Sequence, residues 1–471
     1  MLTFFKTNDP YRLLGVVLLL LIIRVPMLFS EVPFIIPELK WLLIGERLGS
    51  DDFLMYRDLW DSTAPLAVVV YKWLYLSFGK SRLSFQVLSI ILVILQAGIF
   101  NHIMLKNKAY PTSNYVPALV YMLLMNAFFD LLTLSPILMG MTFILLALNN
   151  LFKRIDNKTK DEMFILTGVY LGVATLFFLP SFFYFLVTLI ALVIFTGSIL
   201  RRVLLLVYGY AVVIIVAGIY FHWFDSYLIF QHHFFKSIWK IESVKYFDFT
   251  DFIVLTAVPL SILMVSVFQM FKIGKYINYQ MKIQQVMFLF FLSGGLAMWC
   301  VREASTYQLI YFVPTTAFVI SHYLLAIKNW LMAELNFLVI AILIVFNQLF
   351  ITYDWLHVNE IVSLDELKVT PSEYSIELTG KKVLVLGSDM HHYQDASLAT
   401  PYLNWGLAQI QLNHLNYYDN AGEVFVNLEN DLPEVIVDQE GRLLDVFNVM
   451  PTIAARYNQH EQYPELYLLK P

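Results

Sequence analysis

The chain has 471 residues, of which 59% are hydrophobic, 16% aromatic and 14% charged, and its formal net charge at pH 7 is −5. A soluble domain usually carries about a quarter charged residues, so this composition excludes a soluble globular protein and predicts an integral membrane protein. No basic stretch with interleaved aromatic residues indicates nucleic acid as a partner.

Eleven apolar windows come close to the roughly 20 residues that cross a bilayer core. In chain order they predict transmembrane spans near 11–29, 84–105, 114–129, 134–152, 163–179, 181–200, 203–221, 251–271, 285–301, 307–327 and 331–352. The shorter apolar stretch 65–79 is amphipathic and predicts an interfacial or re-entrant helix. The first apolar run lacks a small-residue cleavage site, so we expect it to stay as an anchor.

Lysine and arginine are distributed unevenly between alternate connections. One set carries Lys106, Lys108, Lys153, Arg154, Lys158, Lys160, Arg201, Arg202, Lys272, Lys275, Lys282 and Lys328, whereas the opposite turns at 130–133 and Pro180 carry none. Because positive loops remain on the cytoplasmic side, this bias predicts a cytoplasmic N-terminus and an external segment after residue 353. The single Cys300 forms no internal disulfide, which fits a bacterial plasma (inner) membrane.

A change in charge divides the chain near residue 354. Residues 1–353 carry 25 basic and 18 acidic side chains, whereas residues 354–471 carry 6 basic and 18 acidic ones. The second segment contains "KKVLVLGSD" (381–389), "EVIVD" (434–438) and "ELYLLK" (465–470), which predict buried strands, with helical spacing between them. We therefore predict a transmembrane domain over 1–353 and an external α/β domain over 354–471 with a partly parallel sheet.

Two predicted external loops are long enough for chemistry, residues 30–83 and the aromatic-rich 222–250. The first contains the charged stretch "ERLGSDDFLMYRDLWDSTAPL" (46–66). Its segment "PELKWLLIGERLGSDDFLMYRDLW" (37–60) has apolar residues at helical spacing with charges on the other face, which predicts a helix along the membrane surface. Carboxylates in this loop are able to act as a base or to hold a cation, and they are Glu38, Asp51, Asp52, Asp58 and Asp61. Basic side chains in this loop are able to hold a phosphate, and they are Arg57, Lys72, Lys80 and Arg82. The alternative is a solvated amphipathic surface with no substrate.

Several segments, taken in order, resemble the GT-C superfamily of polytopic glycosyltransferases, which includes the aminoarabinose transferase and protein O-mannosyltransferase families. The segments are "YRDLWD" followed by a "PL" helix, "LLTLSPILMGMTFILLAL" (131–148), "LPSFFYFLVTLIALVIF" before "LRR", "YQLIYFVPTTAFV" (307–319), and the tail from "KKVLVLGSD" through "LPEVIVD". The resemblance implies a GT-C-like α-helical bundle with external juxtamembrane helices and an external C-terminal α/β domain.

The resemblance also implies a reaction and its partners. A polyprenyl-phosphate-linked sugar is the donor, membrane lipids surround it, and a loop-one carboxylate deprotonates an envelope acceptor that displaces the lipid phosphate with inversion. Glu38 is the expected catalytic base, with Asp51 and Asp58 as further candidate carboxylates. Arg57, Arg302 and Arg24 are the expected phosphate ligands. No cofactor or metal is expected, because the histidines near Asp225 match no metal-binding spacing.

One position departs from the pattern of the superfamily. Its members commonly show Asp-Glu at the start of loop one, where this chain has Pro37-Glu38. Either Glu38 replaces the missing aspartate as base, or the chain is a non-catalytic scaffold or subunit of an envelope complex, whose acidic C-terminal domain docks a protein partner. A transporter is disfavoured because no matched pair of Gly- or Pro-broken helices occurs in two halves.

Two further alternatives concern arginines. Arg24 lies inside the first predicted span, where it either binds a lipid phosphate or a carboxylate in the groove, or forms an ion pair inside the bundle or snorkels to the interface. Arg302 either pairs locally with Glu303 or binds phosphate. We predict that Glu38, Arg57 and Arg302 face one external cavity at the depth of the lipid head groups, with the 222–250 aromatics as its opposite wall.

Overall fold

The structure is a computed structural model of the whole chain. It describes residues 1–471 except 30, 31, 33, 51–52, 156–160, 196–198, 237–243, 274–276, 302, 354–361, 363 and 365. Every structural statement below concerns the described residues.

Helices account for most of the described chain. They are α1 (Leu2–Phe5), α2 (Arg12–Leu28), α3 (Ile36–Ser50), α4 (Pro65–Phe78), α5 (Arg82–Lys106), α6 (Val116–Leu124), α7 (Pro136–Ile155), α8 (Glu162–Phe177), α9 (Phe182–Phe195), α10 (Ile199–Trp223), α11 (Tyr227–Phe230), α12 (Phe249–Ile273), α13 (Asn278–Trp299), α14 (Val313–Ala326), α15 (Trp330–Tyr353), α16 (Ser375–Leu378), α17 (Trp405–Leu412), α18 (Tyr418–Asn430), α19 (Leu443–Val449) and α20 (Pro451–Ala454). A π-helical turn, Gln231–Phe235, continues α11, and a 3₁₀ segment, Thr306–Phe312, leads into α14.

Contacts divide the chain into two compact units. The first unit comprises Met1–Pro33, Leu83–Gly218 and Val244–Leu364, and the second comprises Phe34–Arg82, Ile219–Ser243 and Asp365–Pro471. The second unit thus gathers most of both predicted external loops with the C-terminal segment. The predicted boundary at 353/354 adjoins residues 354–361, which lie outside the described residues.

The first unit holds most of the apolar helices. Seven described helical segments are long and apolar enough to cross a membrane: α5, α7, α10, α12, α13, the segment Thr306–Ala326 and α15. The chain is therefore a multi-pass membrane protein. Each of the other predicted spans also coincides with a helix, but α2, α6, α8 and α9 are shorter. The difference is largest at the predicted span 114–129, where the helix covers only Val116–Leu124.

The C-terminal part of the second unit is a mixed five-stranded sheet. Its strands are β3 (Lys382–Leu386), β4 (Ser397–Leu398), β5 (Val435–Asp438), β6 (Tyr457–Gln459) and β7 (Leu466–Leu469), in the order β4-β3-β5-β7-β6; β1 (Val244–Lys245) and β2 (Glu303–Ala304) form a separate parallel pair in the first unit. The pairs β3–β4 and β3–β5 are parallel, and β5–β7 and β6–β7 are antiparallel. Helices α17 to α20 pack around Ile436 in the hydrophobic core of this part, so the predicted partly parallel α/β fold is confirmed.

Helix α3 of loop one is held by its neighbour α4, and it is buried along most of its length, so the predicted solvated face is not what the structure shows. The prediction of a helix over 65–79 agrees with α4, which begins at Pro65, where a missing backbone N–H costs little. Gly45 of α3 lies against the backbone of α4, and a Cβ at this position would stand 2.7 Å from the Tyr71 carbonyl oxygen. Trp41 stacks on the Tyr71 ring with centroids 5.9 Å apart. The close approach of α3 and α4 therefore depends on glycine at residue 45.

The substitution Gly45→Ala tests this packing. The added methyl group forces α3 away from α4, so we expect destabilisation of about 1–3 kcal/mol, the usual cost of overpacking. The control is Gly98→Ala in α5, because a Cβ there meets nothing within 4 Å and alanine is the better helix former. Thermal unfolding of the purified variants in detergent measures both. An unfolding temperature of Gly45→Ala at or above that of Gly98→Ala would contradict the packing account.

Candidate functional site

Glu38 lies in the first turn of α3 and is almost fully buried, with 1% of its surface exposed. Its Oε2 atom accepts a hydrogen bond from Arg82 Nε at 3.0 Å. The helix N-terminus adds a favourable partial positive charge for a carboxylate. The start of α3 is fixed to the C-terminal segment, because Ile36 N donates to the Leu367 carbonyl at 2.9 Å. The structure therefore holds this carboxylate in one defined position.

Arg82 differs from Glu38 in its access to solvent. Its side chain is 30% exposed, and its guanidinium lies 5.1 Å from the centre of the Phe34 ring. A nearby guanidinium favours the ionised form of a carboxyl group, which is the form that accepts a proton. The pair thus combines a buried carboxylate with a cation that remains partly open to incoming groups.

Lys40 and Asp61 form a second pair, which is buried on both sides. Lys40 Nζ lies 2.8 Å from Asp61 Oδ1, and the two side chains are 6% and 0% exposed. Burial alone would raise the pKa of Asp61, but the charge of Lys40 and hydrogen bonds from Lys40 and Thr63 hold this pKa below its ordinary value. Both oxygens of Asp61 are engaged, Oδ1 by Lys40 and Oδ2 by the backbone N–H of Thr63, so the pair fixes the loop after α3.

The last turns of α3 make further ion pairs with the C-terminal part of the second unit. Glu46 pairs with Lys80 at 2.9 Å and accepts a hydrogen bond from Ser397 Oγ at 2.8 Å. Arg47 pairs with Asp431. Burial raises the pKa of Asp431, but hydrogen bonds from Lys382, Thr400 and Arg47 and the charge of Arg47 lower it overall. These charges hold the second unit together.

Of the other predicted site residues, Arg57 and Asp58 form a partly exposed pair, and two lie outside the described residues. Arg57 is 47% exposed and pairs with the adjacent Asp58, with Nη2 2.8 Å from Oδ2. Asp58 also accepts a hydrogen bond from Leu54 N at 2.8 Å. Asp51 and Arg302 lie outside the described residues. The structure therefore brings Arg57 and Asp58 together, whereas Glu38 pairs with Arg82. That Glu38, Arg57 and Arg302 face one cavity stays a prediction.

Arg24 is buried in the first unit and is held by neutral oxygen atoms. Its Nε donates to Asn126 Oδ1 at 2.8 Å, its Nη1 to Ser89 Oγ at 2.9 Å, and its Nη2 to the carbonyls of Met125 and Leu131 at 2.7 and 3.1 Å. The predicted local alternative, an ion pair within the bundle, is not what the described residues show, since Arg24 has no carboxylate among its partners there. A phosphate at Arg24 would have to displace one of these bonds.

Asp130 is a buried carboxylate that no sequence pattern predicts, because it lies in a short turn whose one distinctive feature in the sequence is the lack of lysine and arginine. Its Oδ2 accepts hydrogen bonds from Ser305 Oγ at 3.0 Å and Thr306 Oγ1 at 2.6 Å, while Oδ1 has no partner among the described residues. Burial raises the pKa of Asp130 to about 6 despite those hydrogen bonds. The only sequence signal was one acidic residue between two apolar helices.

An apolar groove of about 290 Å3 lies beside this turn in the first unit. Leu131, whose carbonyl accepts from Arg24, lines the groove together with Ala127, and α12 contributes Thr256 and Pro259. Thr316 of α14 lies on another wall. A groove of this composition suits a hydrocarbon chain, and one of its lining residues, Leu131, directly follows Asp130.

The two predicted external loops meet in the second unit. The ring of Tyr56 contacts Phe221, Phe230 and Phe234 at centroid distances of 5.3, 5.6 and 6.4 Å. The ring of Trp60 lies 5.1 Å from that of His233. Aromatic residues of the second loop therefore form a wall against loop one. Within the described part of the chain, no group of three or more His, Cys, Asp or Glu residues is placed to hold a metal ion.

No family model matches the sequence, and no curated protein matches it significantly. Solved structures show partial similarity. ArnT from Cupriavidus metallidurans, bound to undecaprenyl phosphate, is 9% identical with a TM-score of 0.49, covering 70% of this chain and 64% of its own length. The oligosaccharyltransferase AglB from Archaeoglobus fulgidus, in complex with an inhibitory peptide and a dolichol-phosphate, is 10% identical with a TM-score of 0.48, covering 98% of this chain and 74% of its own.

The apo form of the Archaeoglobus fulgidus oligosaccharyltransferase is 10% identical, with a TM-score of 0.49, 91% of this chain covered and 69% of its own. Each of these three likenesses has a TM-score below 0.5, so the resemblance to the GT-C superfamily stays a prediction. This chain spans less than two thirds of the length of ArnT. At such identities and TM-scores the likeness carries no argument about activity, which has to rest on the residues of this chain.

The Lys40–Asp61 pair provides a test of the charge network. Removing one partner of a buried ion pair costs about 3–5 kcal/mol, so Lys40→Met should unfold well below the wild type. The sign of the pH dependence follows from Asp61. With its pKa lowered by Lys40, the wild type keeps this contribution above about pH 4 and loses it as the pH falls further. Without Lys40, burial raises the pKa, so the deficit of Lys40→Met should grow from pH 5 to pH 8.

Unfolding temperatures of detergent-purified protein across this pH range measure the effect. Lys382→Met is the matched control, because Lys382 pairs with Asp431 but is 52% exposed, and an exposed pair contributes at most about 1 kcal/mol. Equal deficits for the two variants would show that the buried pair has no special role.

Proposed function

We propose that this chain is a glycosyltransferase that moves a sugar from a polyprenyl-phosphate donor to an envelope acceptor at the external face of the membrane. The observation that carries the proposal is the Glu38–Arg82 pair, a buried carboxylate held at 3.0 Å by a guanidinium that is 30% exposed. The other described carboxylates of loop one with resolved partners, Glu46, Asp58 and Asp61, are engaged in pairs that hold the structure. Glu38 is therefore the residue proposed as base.

The proposed reaction is a displacement at the anomeric carbon. Glu38 accepts the proton of an acceptor O–H or N–H group as the acceptor atom forms its bond to the anomeric carbon. The bond from that carbon to the phosphate oxygen breaks, and the polyprenyl phosphate leaves with the electron pair. Because attack and departure occur on opposite sides, the configuration at the carbon inverts. A correctly placed base is what such a step requires.

Arg82 acts as a positioning residue in this proposal. Its hydrogen bond to Oε2 orients the carboxylate, and its charge favours the ionised form. Proline precedes Glu38 where the superfamily commonly has aspartate, so the base moves by one residue along α3. The ion pair with Arg82 gives the shifted carboxylate a fixed direction, and this supports an active site despite the departure.

The donor is proposed to bind through two features. The apolar groove that Leu131, Thr256 and Thr316 line has the composition for a polyprenyl chain. Among the proposed phosphate ligands, Arg57 is half exposed and bonded to its sequence neighbour Asp58, so its guanidinium is able to turn to a phosphate. Arg302 is retained as a ligand, and Arg24 is proposed to support the turn at 125–131 that borders the groove.

The chain is proposed to lie in a bacterial inner membrane with a cytoplasmic N-terminus and the C-terminal α/β domain outside. The uneven distribution of lysine and arginine supports this orientation. Protease treatment of right-side-out and inverted vesicles tests it. We expect cleavage of the C-terminal domain in right-side-out vesicles, and cleavage in inverted vesicles alone would contradict the orientation.

A second candidate function is a non-catalytic scaffold of an envelope complex. The observation that favours it is that the charges of loop one mostly satisfy one another, as Lys40–Asp61 and Glu46–Lys80 show. A surface whose charges are paired internally is also what a structural platform requires. The acidic C-terminal domain would then dock a protein partner.

The substitution Glu38→Gln separates the two functions. It removes the proton acceptor and keeps the shape, so we expect transfer to fall by at least about 100-fold, the usual loss on removing a general base. Transfer is measured from a labelled polyprenyl-phosphate sugar into membranes of a strain that lacks the protein. Glu46→Gln on the same helix is the matched control and should transfer nearly as well as the wild type. Equal transfer by Glu38→Gln and wild type would contradict the role of Glu38.

A further inference from the structure

A second cavity, of about 500 Å3, lies within the second unit. Its lining comes from loop one, from the segment 228–233 and from α17, α18 and the turn between those two helices. The volume is in the usual range for small-molecule sites. None of the proposed catalytic or phosphate-binding residues lines it, so its chemistry has to be considered separately.

His233 supplies a buried polar atom with no partner. The residue is 6% exposed, and its Nδ1 atom has no hydrogen-bond partner among the described residues. Burial lowers the pKa of His233 to about 4, helped by the charge of His232 and opposed by Asp61, so the ring is neutral at pH 7. The imidazole is hydrogen-bonded to the backbone of Tyr56. A neutral ring has one N–H, so Nδ1 is left as an acceptor that has no partner among the described residues, on a residue that lines the cavity.

The far side of the cavity carries more acceptors. Glu423 is held by Gln411, whose Nε2 donates to Glu423 Oε2 at 2.7 Å. Gln411 is in turn fixed by Tyr402, whose hydroxyl donates to Gln411 Oε1 at 2.9 Å. This chain of hydrogen bonds sets the carboxylate at the rim in a defined direction. Glu423, with its carboxylate, and His233, with its unpartnered acceptor, thus both line this cavity.

The rest of the lining is aromatic and aliphatic. Trp60 is fixed by two backbone hydrogen bonds, from its N to the Pro401 carbonyl at 2.7 Å and from Asn404 N to its carbonyl at 3.0 Å. Tyr417, 65% exposed, and Ile410, 39% exposed, stand at the opening. Flat aromatic and aliphatic surfaces beside hydrogen-bond acceptors suit a ligand with an apolar face and a rim of donors.

These features discriminate between classes of ligand. An acyl chain would leave the buried Nδ1 of His233 unsatisfied, at a cost of about 1–3 kcal/mol. A phosphate would meet a carboxylate at Glu423 and an acceptor at His233, both of which repel it. A sugar ring offers hydroxyl donors at its edge and C–H groups on its face, and it matches both parts of the lining.

We propose that this cavity binds a neutral saccharide unit of the acceptor, with His233 Nδ1 and the Glu423 carboxylate accepting hydrogen bonds from its hydroxyl groups and Trp60 and Tyr417 contacting the ring. The inference rests on the proposed function and specifies its acceptor as a glycan or glycolipid. The residues concerned determine acceptor specificity and take no part in the transfer step.

The test uses the full chain, purified in a detergent without a sugar head group and titrated with maltose, chitobiose and glucose 6-phosphate. Ligand-observed saturation-transfer NMR measures binding. We expect saturable binding of at least one neutral disaccharide and weaker binding of the anionic sugar. His233→Phe keeps a ring but removes the acceptor, and Glu423→Gln neutralises the rim; each should weaken disaccharide binding at least tenfold. His222→Phe, an exposed histidine outside the cavity, is the matched control and should bind as the wild type does.

Absence of saturable binding of either disaccharide to the wild type would overturn the inference, and so would undiminished binding in the two cavity variants. If His233→Phe does not fold, Glu423→Gln decides alone, because that residue lies at the exposed rim. Glu38→Gln should lose transfer and keep disaccharide binding. Transfer that depends on Glu38 without disaccharide binding would thus remove this inference alone, and binding without transfer would remove the proposed function alone.

Discussion

A charge that leaves water in a chain this apolar costs several kcal/mol unless protein groups replace its hydration. In the second unit an opposite charge takes the place of the lost hydration, as in the pair of Lys40 and Asp61. The first unit uses neutral groups for Arg24, whose nitrogens donate to side-chain and carbonyl oxygens. Each solution fixes a segment that would otherwise be an irregular loop. The loop after α3 is held by Asp61, and the turn at 125–131 is held by Arg24.

These fixed segments determine where chemistry is able to occur. Among the described carboxylates of loop one, Asp61, Glu46 and Asp58 pair with cations, and Glu38 with its partly exposed Arg82 is the one that we propose for the reaction. The turn that Arg24 holds carries Leu131 into the wall of the apolar groove. The aromatic wall around Tyr56 and Trp60 leaves a separate polar cavity, in which His233 has an unsatisfied atom. Our proposals thus use the groove for the donor chain, Glu38 as the base and the polar cavity for the acceptor.

The sequence predicts the local features of this fold well. Strands β3, β5 and β7 coincide with the runs "VLVL", "VIVD" and "LYLL", and β3 and β5 are buried as predicted, because a buried strand needs a continuous apolar segment. The predicted burial of β7 is wrong, since only Leu466 is buried and the other three residues are partly exposed. The span at 114–129 was less accurate, since α6 ends at Leu124 and the chain turns there toward Arg24. Helix α18 is not predicted by the sequence pattern, because only Val424 and Leu428 of its residues are buried.

The site was less predictable because its pairs are distant in sequence. The expected role of Glu38 as base follows from the resemblance. Its partner Arg82 lies 44 residues away and is one of several basic residues in loop one, so the sequence does not predict the pair. Arg47 finds Asp431 across 384 residues, which no local pattern encodes. Asp130 and His233 become notable only through burial and an unpaired atom, which are properties of the tertiary structure.

Native mass spectrometry of the chain purified in mild detergent tests the central claim, that the protein binds a polyprenyl-phosphate donor in its apolar groove. We expect a bound polyprenyl phosphate or its sugar derivative at one per chain, and loss of that lipid when Thr256→Phe or Thr316→Phe fills the groove in a folded protein. A stoichiometric protein partner with no polyprenyl lipid, even when the lipid is supplied in excess, would contradict the account and favour the scaffold.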